Sequence, residues 1–441
     1  MKFKLVLRNE IFRDISWQMM STAVVVVFGF MQSILIAKNL GLNQFGIFAL
    51  ALGLASIASQ LLDFRYTDVL VKYLTEYSEL GFYDKSLNIV VIALLASLIL
   101  LFCGCLFFFL TWEFFQSIYF SNEGEDIFWV FVICFANIFI STQLNFIFQS
   151  VLRVHDMIGQ LAAINALLFV IRVISLAIGF YYFNFTLSNV TLTLLIVNIL
   201  FLILFAYFAI KVLVGRVGNI SLMSSFSVFK MPLGIKSFVK NSYFTSVSSI
   251  PTKELDISIL GFYATPEVVG VYRMSKNFSA ALWAFVDQIV LIVYADFARK
   301  FAQKNLLSIK KTIGVIGCSS IVLFLVGWTT AYIYLDNIII FLLGEVYVDS
   351  VKLFLIIFAG AFIWGPLVWA APLALTLNKP QIIFKASLLA SILLVFLFFI
   401  LTYYFGVLGT AIIYSLSPIL VSIILITLLF NENGFRQILK C

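Results

Sequence analysis

The sequence predicts an all-α membrane protein in which twelve transmembrane helices form two six-helix bundles related by a parallel internal repeat. Three observations support this fold class. The composition is 63% hydrophobic and 11% charged, many apolar runs are long enough to cross a bilayer, and the two halves of the chain match at a shift of 224 residues. Soluble domains are about 25% charged, so the composition alone indicates an integral membrane protein.

The predicted spans are apolar runs of about 20 residues, the length that an α-helix needs to cross about 30 Å of hydrocarbon. They are too long for barrel strands and lack the alternation of polar and apolar residues that such strands show, so helices are expected. The spans are predicted at 15–37, 45–63, 87–111, 127–150, 158–182, 188–213, 237–261, 268–295, 312–335, 351–377, 382–404 and 407–430.

The distribution of Lys and Arg predicts the orientation. With a cytoplasmic amino terminus, 21 of the 28 basic residues fall in inner segments, and only Lys38 and Lys352 fall in outer ones. Such an excess of basic residues on one side is typical of the cytoplasmic face, so both termini are predicted to be cytoplasmic. The net charge of +7 is therefore attributed to membrane topology, and no nucleic-acid partner is expected.

The internal repeat predicts the domain organisation. A shift of 224 residues, without a gap, superimposes the six predicted spans of one half on those of the other, and it places Gly46 on Gly270 and Asp63 on Asp287. Six spans is an even number, so both halves share one orientation, as in a parallel repeat. We predict an N-terminal bundle at 1–213, a cytoplasmic interfacial linker at 214–236 and a C-terminal bundle at 237–441.

Ionisable residues inside the predicted spans are the candidate functional residues. Each costs roughly 2.5–3.5 kcal/mol near the bilayer centre, so it normally faces a bundle interior or a water-filled pathway. The positive ones are Arg172, Lys240, Lys253, Arg273 and Lys276, and the negative ones are Glu254, Asp256 and Asp287. The surplus of two positive charges predicts an anionic ligand, and Arg in particular matches the geometry of phosphate.

The roles assigned to these residues follow from their charge and spacing. Arg273, Lys276 and Asp287 share one face of the span 268–295, yet Arg273 and Asp287 are about 21 Å apart and cannot neutralise each other. We predict binding of anionic cargo by Lys253, Arg273, Lys276 and Arg172, and ion coupling by Asp287, Asp256 and Glu254. Pro251 is predicted to bend the seventh span as a hinge.

Structural explanations compete with these roles. Lys253 and Asp256 are three residues apart, so a local ion pair would merely lower the cost of inserting both. Long basic side chains also reach the headgroups, an explanation that is strongest for Arg273. Five cysteines show no disulfide or metal pattern, and the single His155 is expected to be a solvated residue of a cytoplasmic turn. No cofactor is expected.

Two segments carry a family resemblance. Residues 36–48 have the sequence IAKNLGLNQFGIF, and their counterparts at 256–261 and 266–272 read DISILG and PEVVGVY. The first resembles the first-repeat signature of bacterial O-antigen and polysaccharide flippases, and the second is similar to the signature of that family's seventh and eighth helices. These flippases belong to the multidrug/oligosaccharidyl-lipid/polysaccharide flippase superfamily. The resemblance extends over the whole chain through its length, its twelve spans and its two halves of six.

The resemblance implies a function. It implies a V-shaped pair of bundles in the bacterial inner membrane that alternates between inward-open and outward-open states. The cargo would be an undecaprenyl-diphosphate-linked oligosaccharide, moved from the cytoplasmic to the periplasmic leaflet and coupled to a proton or sodium gradient, as in an antiporter. Basic cavity residues in this family are thought to hold the diphosphate or acidic sugars, and polysaccharide polymerase and chain-length proteins are the implied partners.

Three alternatives are weighed against this function. A multidrug exporter of the same superfamily would favour cationic cargo and carry acids deep in its first helix, whereas 15–37 contains none. A lipid II flippase usually has fourteen spans. A membrane glycosyltransferase or O-antigen polymerase would need a large outer loop or paired catalytic carboxylates. No nucleotide-binding loop, zinc pattern or nucleophile elbow occurs, so the chain is not expected to be an enzyme.

Overall fold

The structure is a computed structural model that describes residues 2–64, 66–119, 126–217, 243–244, 246–303, 305–377, 379–432 and 435. About 92% of it is helical, and no β-strand occurs among the described residues. The prediction of an all-α membrane protein is confirmed. The predicted linker at 214–236 lies mostly outside the described residues, as does Lys240.

The first half of the chain begins with a long kinked helix and continues with helices of different lengths. One π-helical turn, Ile140–Leu144, joins two of them. The helices are α1 (Lys2–Leu61), α2 (Tyr66–Glu79), α3 (Tyr83–Tyr119), α4 (Asp126–Phe139), α5 (Asn145–Val154), α6 (Ile158–Phe183) and α7 (Leu187–Val217).

The second half shows the same mixture of long and interrupted helices. Short 3₁₀ turns occur at Ile250–Thr252, Glu345–Tyr347 and Gly365–Leu367. The helices are α8 (Leu255–Tyr263), α9 (Pro266–Ala302), α10 (Leu306–Leu343), α11 (Asp349–Trp364), α12 (Ala370–Thr376) and α13 (Pro380–Leu429).

Two glycines break helices that would otherwise be twice the length of a membrane span. In the described chain eight segments are long and apolar enough to cross a membrane, and two of these, Ser16–Leu61 and Gln381–Leu429, contain 46 and 49 residues. Gly41 (φ 79°) and Gly406 (φ 58°) interrupt them with backbone conformations that other residues rarely adopt. Each long segment therefore accommodates two of the predicted spans.

The structure departs from the predicted spans at three places. The seventh span, 237–261, is not one helix, because its described part contains helical residues at 243–244 and 246–248, then the 3₁₀ turn Ile250–Thr252, and then the short α8. The tenth, 351–377, is divided at Gly365–Leu367. The third departure is α2, an amphipathic helix that lies between the predicted spans 45–63 and 87–111. Its Leu70 and Leu74 are buried at an i, i+4 spacing while Lys72 is exposed.

The contacts divide the chain into two compact units. The first unit consists of Met1–Leu35 and Leu54–Val247, and the second of Ile36–Gly53 and Ser248–Cys441. In the first unit, apolar residues of α2, α3, α5, α6 and α7 form one continuous core. In the second unit, separate cores form around Phe297 and Leu373, around Phe354 and Phe358, and around Phe398.

The segment Ile36–Gly53 packs within the second unit, although sequence order places it in the first bundle. The approach is so close that a Cβ on Gly46 would lie 1.7 Å from the carbonyl oxygen of Pro266, and one on Gly270 would lie 2.9 Å from that of Leu42. The two contacts are equivalent under the 224-residue repeat. Position 42 corresponds to 266 and position 46 to 270, so each glycine contacts the repeat counterpart of the residue that the other glycine contacts. Such reciprocity is expected where repeat-related segments meet at a local two-fold axis.

A hydrogen bond at the same contact joins two residues that are themselves 224 apart. Asn43 Nδ2 donates to Glu267 Oε1 at 2.7 Å. Nearby, the Tyr347 hydroxyl donates to the carbonyl of Ala37 at 3.0 Å, and the Tyr347 ring packs edge-on against Phe45. The first-repeat signature segment is therefore held in the second unit by both backbone proximity and polar contacts.

Candidate functional site

The helix break at Pro251 positions the candidate site of the second unit. Pro251 has no backbone N–H to donate, so a regular helix cannot continue through it without losing a hydrogen bond. The chain instead forms the 3₁₀ turn Ile250–Thr252, in which the Thr252 hydroxyl donates to the carbonyl of Ser249 at 2.8 Å. Lys253 and Glu254 then form a turn before α8 begins at Leu255. This break brings backbone and carboxylate oxygens of 253–256 to one place.

Two cations on α9 face two carboxylates at this break. Lys276 Nζ lies 3.0 Å from Asp256 Oδ1 and 3.4 Å from Glu254 Oε2. Arg273 Nη1 lies 3.0 Å from the same Glu254 oxygen. Arg273 and Lys276 are three residues apart on one helix, so their side chains reach one partner together. We call these four residues the paired cluster.

Tyrosines and a backbone carbonyl complete the surroundings of the paired cluster. The Tyr272 hydroxyl donates to Asp256 Oδ2 at 2.5 Å. Lys276 also donates to the carbonyl of Lys253, and its ammonium lies 5.0 Å from the centroid of the Tyr414 ring. Tyr272 is completely buried, Asp256 is 1% exposed and Lys276 is 7% exposed. The carboxylate of Asp256 is thus satisfied on both oxygens within the protein.

The paired cluster carries no net formal charge, because two cations balance two carboxylates. This revises the expectation that Arg273 and Lys276 offer free positive charge to a ligand. A buried ion pair gains little net stability over an apolar replacement, but removing one partner leaves an uncompensated charge and costs about 3–5 kcal/mol. An ion pair between Lys253 and Asp256 is also not needed to stabilise the buried carboxylate of Asp256, because Lys276 and Tyr272 already donate hydrogen bonds to its two oxygens.

Arg172 forms a different kind of polar site in the first unit. It lies near the middle of the 26-residue helix α6 and donates through Nη2 to Asn198 Oδ1. Asn198, which is completely buried, donates in turn to the side-chain oxygen of Asn137 and, at 3.4 Å, to its backbone carbonyl. The Arg172 guanidinium also lies 4.9 Å from the centroid of the Phe169 ring. We call Arg172, Asn198 and Asn137 the arginine network.

The arginine network contains no acid. Within the described chain, Arg172 forms no ion pair with a carboxylate, and its Nε is buried without a hydrogen-bond partner. A guanidinium presents five N–H donors in a fixed fork, and buried donors that remain unpaired are costly and rare. The network therefore carries a full positive charge that no described carboxylate balances, together with one buried guanidinium donor that lacks a hydrogen-bond partner.

Two further predicted residues, Lys253 and Asp287, belong to neither the paired cluster nor the arginine network. Lys253 has an exposed side chain beside the helix break. The backbone of Asp287 continues α9, but its side chain lies outside the described residues. Trp283, four residues before Asp287 on α9, packs edge-on against Trp364 with ring centroids 5.1 Å apart. Among the described residues no group of three or more His, Cys, Asp or Glu side chains is arranged to hold a metal ion.

Four residues of these sites were not predicted from the sequence. Tyr272 and Tyr414 are two of 18 tyrosines, and nothing in their local sequence marks them as partners of Asp256 and Lys276. Asn137 and Asn198 could have been identified from the sequence, because a polar amide inside an apolar span needs a hydrogen-bond partner within the protein. A search for such amides would have found them.

Comparisons with known proteins add evidence about the fold. The sequence matches no protein-family model and no curated protein. A multidrug resistance MATE family transporter of the MOP superfamily, in an inward-facing conformation, is similar with a TM-score of 0.75 at 12% identity, covering 95% of this chain and 96% of the other. The lipid II flippase MurJ, in an inward closed conformation, gives 0.64 at 16% identity, covering 96% and 89%. This chain has the fold of MOP superfamily transporters.

A further MOP superfamily neighbour is described by its binding pocket. A transporter from Pyrococcus furiosus, whose binding pocket is described as having reverse polarity that suggests a different function, gives a TM-score of 0.62 at 13% identity, covering 98% of this chain and 96% of the other. At these identities the likeness extends to the fold, and the charges of this chain must provide the argument about its cargo.

Proposed function

We propose that the chain is a flippase that moves an undecaprenyl-diphosphate-linked oligosaccharide, a repeat unit of O-antigen or a related surface polysaccharide, from the cytoplasmic to the periplasmic leaflet of the bacterial inner membrane. The MOP fold supports transport, the signature segments resemble those of polysaccharide flippases, and the charge of the arginine network supports an anionic cargo. The observation that carries the proposal is the guanidinium of Arg172 near the middle of a long apolar helix, which forms no ion pair with any carboxylate among the described residues and has a buried Nε without a hydrogen-bond partner.

The chemistry of Arg172 matches a diphosphate. Its fork presents parallel N–H donors to two oxygens of one phosphate, and such charge-assisted hydrogen bonds are roughly twice as strong as neutral ones. Phe169, which stacks on the guanidinium, and Asn198, which accepts one of its N–H groups, fix the orientation of the fork. A preoriented guanidinium loses less side-chain entropy when the ligand binds. A cationic drug, by contrast, would be repelled by it.

The other predicted residues receive revised roles. Lys253, exposed beside the helix break, is the remaining candidate in the second unit for a direct contact with anionic cargo. Arg273 and Lys276 act instead within the paired cluster, where Glu254 and Asp256 are their partners.

We assign ion coupling to Glu254 and Asp256, with Asp287 as a further candidate from sequence, and we keep Pro251 as the hinge. Polymerase and chain-length proteins would receive the translocated repeat unit.

Complementation in the source organism tests the proposal. After deletion of the chromosomal copy, surface polysaccharide is measured with plasmids encoding wild type, Arg172→Gln, Arg172→Lys or Arg153→Gln, and each value is divided by the membrane abundance of the protein. Removing a charged hydrogen bond worth about 1.5–3 kcal/mol should reduce output roughly tenfold or more for Arg172→Gln. Arg172→Lys should retain part of the output, since it keeps the charge but loses the fork.

Arg153→Gln is the matched control. Arg153 is an exposed arginine in the same unit, so its loss removes the same charge away from the arginine network, and output should stay at the wild-type value. Normal polysaccharide in the deletion strain, or normal output from Arg172→Gln at normal abundance, would contradict the proposal. Loss of resistance to cationic drugs without any change in polysaccharide would support a multidrug exporter instead.

Labelling tests the proposed orientation. Single cysteines replace Asp349 or Asn305 in a cysteine-free background, and cells with a permeabilised outer membrane receive a maleimide that cannot cross the inner membrane. The excess of Lys and Arg in the predicted inner segments predicts labelling at 349 and protection at 305. The reverse pattern would overturn the assignment of both termini to the cytoplasm.

A further inference from the structure

The ammonium of Lys276 is surrounded by oxygen atoms as a bound metal ion would be. Its nitrogen lies 3.0 Å from a carboxylate oxygen of Asp256 and 3.4 Å from one of Glu254, and it donates to the backbone carbonyl of Lys253. The Tyr414 ring lies on a further side, with its centroid at 5.0 Å. Two carboxylates, a carbonyl and an aromatic face therefore surround the ammonium, and the Glu254 oxygen is shared with Arg273.

These ligands are the ones that hard monovalent cations prefer. Carboxylate and carbonyl oxygens suit alkali and alkaline-earth cations, and an aromatic face attracts a cation through its quadrupole. A lysine ammonium and an alkali cation carry the same charge, so the same oxygens satisfy either. The difference is that the ammonium is attached to α9 by its side chain and cannot leave the protein.

The helix break provides the ligands without help from Lys276. Glu254 lies in the turn that precedes α8 and Asp256 in its first turn, so both carboxylates are fixed by the backbone on one side of the site. The second oxygen of Asp256 is held by the Tyr272 hydroxyl, and this bond does not involve Lys276. Replacing the lysine by a small residue would therefore leave an oxygen-lined site with an unbalanced negative charge.

We propose that Lys276 is a tethered counter-ion that occupies a monovalent-cation site, and that its removal converts this site into one that binds a free alkali cation. In the native chain the site is closed to sodium because the ammonium fills it. One consequence rests on the proposed function: if Glu254 and Asp256 couple transport to an ion, the ion that they accept while Lys276 is in place is a proton and not sodium.

Melting temperatures of purified protein in detergent test the proposal. Wild type and Lys276→Ala are compared in NaCl, KCl and choline chloride at equal ionic strength, with the salt concentration varied. Lys276→Ala should melt below wild type in choline and show a saturable rise of roughly 2 °C or more in NaCl or KCl, since a ligand that binds only the folded state stabilises it. Wild type should melt at the same temperature in all three salts.

Two further variants separate a specific site from a general effect of salt. Lys276→Ala combined with Asp256→Asn removes a ligand charge as well as the lysine, and its response to NaCl and KCl should disappear. Lys300→Ala, on the same helix, removes the ammonium from a part-exposed pair in which Asp296 supplies the one carboxylate found among the described residues. It should show no difference between choline and the alkali salts.

Each outcome decides the question. Equal melting of Lys276→Ala in all salts, or failure to recover this variant in NaCl and KCl as well as in choline, would overturn the proposal, because a free cation should replace the ammonium. Recovery only in NaCl or KCl would support it. A sodium response of wild type that is lost in Asp256→Asn would also overturn it. The measurement contains no cargo, so its result is independent of the proposed flippase activity.

Discussion

The paired cluster and the arginine network solve the problem of membrane-buried charge in opposite ways. In the paired cluster, Lys276 and Arg273 are neutralised by carboxylates from a neighbouring segment. In the arginine network, Arg172 is held by the amide of Asn198, which orients it without neutralising it. Both regions lack charged counterparts at the equivalent positions of the other half, since position 276 corresponds to Leu52 and position 172 to Phe396.

The difference in charge balance suggests different roles for the two regions. Charges that are fully matched inside the protein have no attraction left for a ligand, so their effect appears in stability and in the response to ions. A charge that is oriented but not balanced by a carboxylate can still attract a ligand of opposite sign. Binding of that ligand offsets the free-energy cost of burying the charge. We therefore propose that the arginine network binds the cargo and that the paired cluster couples transport to an ion.

The largest effect is expected from breaking the paired cluster on its acidic side. Asp256→Ala leaves the Lys276 ammonium buried with one carboxylate at 3.4 Å, so the free energy of unfolding should fall by about 3–5 kcal/mol. The loss should appear as a lower melting temperature in detergent.

Two double variants identify the partner of Asp256. Asp256→Leu with Lys276→Met replaces the pair by apolar residues of similar volume and should recover much of the stability, whereas adding Lys253→Ala to Asp256→Ala should not. Recovery by the change at 253 would show that Asp256 is balanced by Lys253, and the assignment of the paired cluster would then be wrong.

A smaller effect on stability, but a large one on transport, is expected from giving the arginine network an acid. Asn198→Asp places a carboxylate beside the Arg172 guanidinium and so makes this region resemble the paired cluster. The protein should remain folded, and surface polysaccharide per unit of membrane protein should fall roughly tenfold or more, because the guanidinium no longer attracts an anion.

The control adds the same charge elsewhere on α7. Asn189 is exposed, so Asn189→Asp should leave polysaccharide output unchanged. Equal output from Asn198→Asp and Asn189→Asp would mean that the charge of Arg172 does not contribute to transport.

The smallest effect is expected at Lys253. Its side chain is exposed, and substitutions at such positions usually change the free energy of unfolding by no more than about 0.5 kcal/mol. Lys253→Ala should therefore melt like wild type in detergent. A destabilisation as large as that of Asp256→Ala would place Lys253 within the paired cluster.

The fold could be predicted because apolar runs and helix breakers are local properties of the sequence. The pairings of the charged residues could not. Arg273 and Glu254 are 19 residues apart on different elements, and whether their side chains meet depends on how those elements pack. His155 shows the same limit, since its turn was predicted but its burial, to 8% exposure, depends on neighbouring helices. The repeat aligned Gly46 with Gly270, yet only the structure shows that their segments touch.

Arg172 was singled out from the sequence because one arginine in an apolar span requires an explanation. The sequence could not separate it from Arg273 and Lys276, since all three are basic residues among apolar neighbours. What separates them is the presence or absence of a carboxylate from a distant segment, which is a property of the folded chain.

Binding of the lipid itself tests the central claim most directly. The affinities of purified wild type, Arg172→Gln and Arg153→Gln are measured in detergent for undecaprenyl diphosphate and for the uncharged alcohol undecaprenol. The account predicts that wild type and Arg153→Gln bind the diphosphate at least about tenfold more tightly than the alcohol, and that Arg172→Gln loses this preference while its affinity for the alcohol is unchanged. An undiminished preference for the diphosphate in Arg172→Gln would contradict it.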